Sequence, residues 1–222
     1  MKMSGLKTPD YSHLHSEDFQ DVYEPAEDTF LLLDALEKDA EFIQRKRPCV
    51  CVEVGSGSGV VITFLAQLLN NFSMCLAVDR NPKAATSTKR TAAQNGVAVE
   101  VVNSDLLSAL QPHLHGNVDV LVFNPPYVVT PPEEVSRVGS SSIASSWAGG
   151  TNGREVLDRL LPHVGQLLSA EGVFYLLVIK ENKPDDIRQI LAEQKLSCEV
   201  LIERRAGPEH LSVLKFHHDP PS

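Results

Sequence analysis

After Pro48 the chain alternates short apolar runs with helical patterns, and that alternation limits the fold more than any other feature. Cys49 to Val54 reads as a strand and Val60 to Leu69 as a helix. Met74 to Val78 and Pro82 to Asn95 repeat the pair, with Gly96 as an αL helix stop. Val97 to Val102, a short helix from Leu106 to about Leu114, and the strand Val118 to Phe123 follow. Glu155 to Leu168, Gly172 to Ile179 and Asp185 to Gln194 continue the pattern. Strands alternating with helices predict a parallel, doubly wound α/β sheet. Two late runs, Cys198 to Ile202 and Leu211 to Phe216, have no helix between them. They predict a terminal hairpin and one antiparallel strand. Ahead of the alternation, Glu27 to about Arg45 reads as one helix led in by Pro25, and residues 1–18 as a mobile polar arm. Residues 19–218 form the expected single domain, with 219–222 as a tail. A chain of 222 residues suits one core.

The strand Val118 to Phe123 runs into Asn124-Pro125-Pro126-Tyr127. Pro126 has no ladder donor and Pro125 biases Asn124 toward an extended backbone, so the strand must stop there. In open α/β sheets, ligands bind at the carboxyl ends of the strands. The Asn124 side chain and the Pro125 carbonyl can accept both protons of a planar NH2 group, and the Tyr127 ring can stack on it. A turn-forming Asn before Pro is the plainer alternative. The segment from Val128 to about residue 152, rich in Pro, Ser and Gly, is too long for a simple connection and reads as a substrate lid.

Glu53-Val54-Gly55-Ser56-Gly57-Ser58-Gly59 follows the first strand and opens a helix. Glycines there permit a tight turn and close backbone approach to a ligand. Alone, such a loop is weak evidence, because structural turns share its composition. Asp79, at the end of the second strand, can accept both hydroxyls of a ribose. Asp105, after the third, can accept from an adenine amine. Each has a helix N-cap as its alternative. No Gly-Lys-Ser/Thr loop offers to hold a triphosphate, so a nucleoside without phosphates is favoured.

The net charge of -9 argues against phosphate-backbone affinity, so stable nucleic-acid binding is not expected. No apolar run approaches the roughly 20 residues that span a bilayer. The opening residues lack an apolar signal core, and a cytoplasmic, also nuclear, location is expected. The four cysteines show no zinc spacing and read as buried free thiols, and no metal is expected.

The glycine loop, Asp79 and Asp105 together resemble the S-adenosylmethionine site of class I methyltransferases. That resemblance implies a seven-stranded sheet of order 3-2-1-4-5-7-6 with an antiparallel last strand. Asn124-Pro125-Pro126-Tyr127 resembles the motif of HemK-type protein-glutamine methyltransferases and of amino-methylating DNA methyltransferases. Tyr23 to Phe30 and Trp147 to Glu155 are similar to the eukaryotic release-factor branch of the HemK family. The resemblance covers about Asp21 to Phe216. It implies Thr29, Glu53, Gly55, Gly57, Gly59, Asp79, Asp105 and Asn124 as cofactor contacts. It implies Asn124, Pro125 and Tyr127 as catalytic, and these with Pro126 and Trp147 as substrate contacts. The implied product is S-adenosylhomocysteine, and the implied substrate is the Gln of the Gly-Gly-Gln motif in the translation termination factor. A histone lysine is the implied alternative, then DNA adenine. A small zinc-binding activator subunit is the implied partner, for which the apolar edge strand Val97-Val102 offers a place. A small-molecule methyltransferase and a non-catalytic cofactor-binding module are the rival classes. The polar lid opposes the first, and intact Asn124 and Tyr127 oppose the second.

Overall fold

The computed structural model describes residues 6–131 and 143–219. Its centre is one seven-stranded sheet of order β3-β2-β1-β4-β5-β7-β6. The strands are β1 Val50–Val54, β2 Met74–Asp79, β3 Glu100–Asn103, β4 Val118–Phe123, β5 Leu168–Ile179, β6 Leu196–Ala206 and β7 Glu209–His218. The first five pair in parallel, and β7 runs antiparallel to both neighbours. This is the class I methyltransferase architecture expected from the alternation and the terminal hairpin. The hairpin turns through Gly207-Pro208, with Gly207 at φ 59°. A positive φ at the first of two turn residues matches the right-handed twist of the flanking strands.

Alternate strand residues face opposite layers, as the two-residue period requires. On one face, Cys51, Ala77, Val122 and Tyr175 pack under α1 (Glu27–Lys38), α2 (Ala40–Lys46) and α3 (Val60–Leu68). Helix α4 (Pro82–Gln94) lies beside α3 and over β2 and β3. On the other face, Val52, Leu121, Phe174 and Leu176 meet α5 (Gln111–Leu114), α6 (Leu157–Leu160), α7 (Val164–Leu167) and α8 (Pro184–Ala192). Both faces of β1, β4 and β5 are covered, which explains why these strands read as continuous apolar runs.

Several elements differ from expectation for local reasons. The helix expected from Glu27 to about Arg45 breaks at Asp39, whose carboxylate takes bonds from Tyr175 Oη at 2.6 Å and Lys215 Nζ at 2.7 Å. The helix expected from Glu155 to Leu168 is two short α turns joined by a 3-10 turn at Leu161–His163. Pro162 lacks an N–H and its ring crowds the preceding turn. The edge strand is Glu100–Asn103, shorter than Val97-Val102, because the Ala98 N–H bonds the Asn71 side chain instead of a strand. Cys49 is exposed and Cys198 half-buried, so burial holds only for Cys51 and Cys75.

The expected mobile arm also needs correction over residues 6–18, and residues 1–5 lie outside the described residues. Pro9 and Leu14 are buried. Asp10 and Asn95 exchange hydrogen bonds, each with a backbone partner at 2.8 Å. Arg90 of α4 bonds the His13 carbonyl at 2.7 Å and the Asp18 carboxylate at 3.1 Å. The polar composition that reads as disorder serves instead as a set of partners for α4. Of the expected lid, residues 132–142 fall outside the described residues, as do 220–222 of the tail.

Candidate active site

The strand ends of β1, β2 and β4, the loop after β3 and the start of α1 surround one cleft, about 1130 Å³ out to its open mouth. Thr29, Glu53, Gly55, Gly57, Asp79, Asp105, Asn124, Pro125, Pro126, Tyr127 and Trp147 all line it. The residues singled out from the sequence thus meet at one place, with Gly59 as the exception. A Cβ on Gly59 would stand 2.6 Å from the Thr88 Cα, so this glycine lets α3 start against α4. Gly59 stands behind the loop, packed on α4, and is not among the cleft-lining residues.

The glycine loop is held from below. Asp79 Oδ2 accepts the Gly57 N–H at 2.9 Å, and Oδ1 accepts the Asn81 N–H at 2.8 Å. Asn81 itself caps α4 by accepting the Lys83 N–H, so Asp79 is not the cap. Each Asp79 oxygen keeps a lone pair for a ligand hydroxyl. Burial pushes the Asp79 carboxyl above the usual range despite those two bonds. Ser56 and Thr88 share a hydroxyl bond of 2.8 Å that ties the loop to α4.

Glu53 is 2% exposed and accepts the Ile62 N–H at 2.9 Å, in the first turn of α3. Burial drives its carboxyl well above the ordinary range, and the neighbouring Asp79 adds to the rise. Asp105 is exposed and pairs with Arg159 at 2.6 Å through Oδ2, which pulls its carboxyl down, and Oδ1 has no partner among the described residues. The lining thus gathers carboxylates, with Arg80 as the cation among the described lining residues. Such a set repels phosphates and accepts from hydroxyls, amines and cations. It fits the nucleoside and charge of S-adenosylmethionine.

At the far end, Asn124 Nδ2 donates to Asp28 Oδ2 at 2.9 Å. Asn124 Oδ1 is buried and has no partner among the described residues. Tyr127 is 7% exposed, and its one hydroxyl proton has two acceptors within reach, Asp28 at 3.3 Å and Glu209 of the β6–β7 hairpin at 3.5 Å. Its ring is thereby fixed as a wall. The backbone behind is pinned by Asn182, 1% exposed, whose Nδ2 reaches the carbonyls of Tyr127, Asn152 and Gly153 at 2.9, 3.0 and 3.3 Å. Gly149 and Gly153 pack directly on the carbonyls of Pro126 and Tyr127. The Trp147 to Glu155 segment is therefore a back-plate for the strand-end motif, and Trp147, 38% exposed, stands at the mouth. Asp28 and Asn182 escaped the sequence reading, because each acts through partners far away in the chain.

Residues 25–146 match the family model "Methyltransferase small domain". The chain is 52% identical to the human protein "Methyltransferase HEMK2" over 216 residues, covering 97% of this chain and 99% of that one. It is 39% identical to the Schizosaccharomyces pombe "eRF1 methyltransferase catalytic subunit mtq2", covering 96% of each. Among solved structures it resembles the E. cuniculi Mtq2 chain, at 30% identity and a TM-score of 0.66, covering 90% of this chain and 99% of that one. That structure is a complex with Trm112, described as responsible for methylating the eRF1 termination factor.

Proposed function

This chain belongs to the HemK-type eukaryotic release-factor glutamine methyltransferases, and we propose that it methylates the side-chain nitrogen of the Gln in the Gly-Gly-Gln motif of the eukaryotic translation termination factor. The observation that carries this reading is the orphaned Asn124 Oδ1 at the strand end, with its amide held by Asp28. A buried acceptor without a partner is costly to keep, and a ligand N–H repays it.

S-adenosylmethionine, when bound, supplies an electrophilic methyl carbon. Thr29, Glu53, Asp79, Asp105 and the backbone of Gly55 and Gly57 would hold it. The rest is the work of the acceptor end. An amide nitrogen is a weak nucleophile because its lone pair is shared with its carbonyl. Asn124 Oδ1 and the Pro125 carbonyl accept its two protons, which turns the NH2 group and favours positive charge growing on nitrogen. The Tyr127 ring and Pro126 confine the amide plane, so little rotation is lost at reaction. With the methyl group supplied by bound S-adenosylmethionine, the amide nitrogen would release one of the two protons held at Asn124 Oδ1 and the Pro125 carbonyl to water at the open mouth of the cleft. A lysine amine would have to lose a proton before attack. Of the carboxylates at this end, Asp28 holds the Asn124 amide and Glu209 lies 3.5 Å from the Tyr127 hydroxyl. This ranks a histone lysine second.

The partner reading goes with it. We infer that a small zinc-binding activator adds a strand along the free edge of β3, supported by the likeness to a chain solved with Trm112. The test of the main reading uses labelled cofactor, the termination factor and histone tails, with site assignment by mass spectrometry. Asn124→Ala should lower kcat roughly 10²- to 10³-fold. Its cofactor affinity should stay within about tenfold of wild type, a ~1.4 kcal/mol margin. An Asn124→Ala enzyme that still methylates the glutamine at near wild-type rate would sink the mechanism.

A further inference from the structure

We propose that Asp28 is the positioning residue that decides which end of the Asn124 amide faces the methyl acceptor. This rests on the reading of Asn124 as acceptor for the substrate NH2. The two Asp28 oxygens have separate duties. Oδ1 takes the Thr29 N–H at 2.7 Å and the Thr29 hydroxyl at 3.3 Å. Oδ2 takes Asn124 Nδ2 at 2.9 Å and the Tyr127 hydroxyl at 3.3 Å. Asp28 is 2% exposed, so water does not relieve a wrong pairing.

A carboxylate has no proton to give, so only the NH2 end of Asn124 can lie against it. The carbonyl end is thereby turned away from Asp28, where it lacks any partner among the described residues. Without this constraint an amide of nearly symmetric shape has two orientations. The reversed one would set a donor against the donors of the substrate, and no methyl acceptor could settle there. The Thr29 backbone bond matters as much, because it fixes Asp28 itself. Asp28 thus acts on the reaction through Asn124 and has no need to touch the substrate.

The test is the isosteric exchange Asp28→Asn. The Thr29 N–H must keep its acceptor, so the new Asn oxygen stays there and the new NH2 replaces Oδ2. That NH2 then faces Asn124, which has to reverse. With the enzyme in complex with its activator and the termination factor as substrate, kcat should fall roughly 10²-fold or more. The cofactor Kd should move by less than about threefold, since the Thr29 N–H keeps its acceptor, whereas the substrate KM should rise because the acceptor for its NH2 is turned away. The paired exchange Asp28→Asn with Asn124→Asp restores an acceptor toward both neighbours. It should exceed either single variant in kcat by about tenfold, a non-additive recovery expected only of groups in contact. A readout independent of turnover is the side-chain amide of Asn124 by NMR. Its protons should exchange slowly in wild type and faster in Asp28→Asn.

A folded Asp28→Asn enzyme with kcat within about threefold of wild type overturns the proposal. So does a paired exchange no better than the weaker single variant. If Asp28→Asn fails to fold, the paired exchange decides alone by the same criterion. A wild-type complex that methylates no glutamine sinks the proposed function instead, and the amide-exchange result still judges the orientation.

Discussion

At Glu53 the fold keeps a carboxyl out of water with one donor among the described residues, the Ile62 N–H at 2.9 Å. Its folded-state pKa lies well above the ordinary 4.5, chiefly from burial. Between those two values the folded chain binds more protons than the unfolded one. Stability from this group is therefore present below the unfolded pKa and declines as pH rises through the folded one. Glu53→Gln removes the ionisation and keeps an acceptor for Ile62. The cofactor-free variant should match wild type near pH ~4 and exceed it near pH ~8. Each kcal/mol gained should raise Tm by about 2–4 °C. Cofactor affinity should fall, because a charged acceptor becomes neutral. Parallel melting curves for the two proteins at every pH would contradict the assigned desolvation. Glu53, Asp79 and Asn124 were legible as cleft residues because each is a polar group at the end of an apolar strand. Asp28 was not, since its partner Asn124 lies 96 residues further on and only the fold brings them together.

Among the elements, most strands were legible from apolar runs, whereas helix ends and the site's back-plate were not. The break at Asp39 depends on Tyr175 and Lys215, which arrive from β5 and β7. The Trp147 to Glu155 segment reads as loop composition, yet it forms part of the site through contacts with Pro126 and Tyr127. Gly153 sits at φ 65°, and a Cβ there would overlap the Tyr127 carbonyl oxygen. Gly153→Ala should therefore push the strand-end motif away from Asn182 and lower kcat roughly 10²-fold, as small misplacements of reacting groups do. Gly96 is the comparison. It has φ +67° but nothing within 4 Å of an added Cβ. Gly96→Ala should cost only the left-handed backbone strain, about 1–2 kcal/mol, and leave kcat alone. Denaturant midpoints and kcat for the two variants separate the cases: equal loss of activity in both would mean that Gly153 is only a turn residue.

For the whole molecule, the two sheet edges differ in a way that bears on assembly. The β6 edge is defended. It carries Glu199, Glu203, Arg204 and Arg205, its register shifts between Val200 and Ile202, and α1 crosses it through Arg204–Asp34 and the Lys38 bond to the Leu201 carbonyl. Charges, bulges and coverage are the usual means of keeping an edge from pairing. The β3 edge has little of this. Its exposed residues are Glu100 and Asn103, with Val101 and Val102 half-buried against the two core layers, and Phe72, 90% exposed, and Met74, 49% exposed, lie before and at the start of the neighbouring strand β2. Large apolar side chains held in water beside an unpaired edge suit a protein partner that adds a strand. Hydrogen exchange read by mass spectrometry should then show slower exchange in peptides covering 97–103 when the activator is added. Peptides covering 196–206 should not change. Phe72→Ser should weaken the one-to-one complex in sedimentation while sparing cofactor affinity, since Phe72 is not among the cleft residues. Protection confined to β6, with β3 unchanged, would place the activator at the opposite edge. The asymmetry of the edges would then need another explanation.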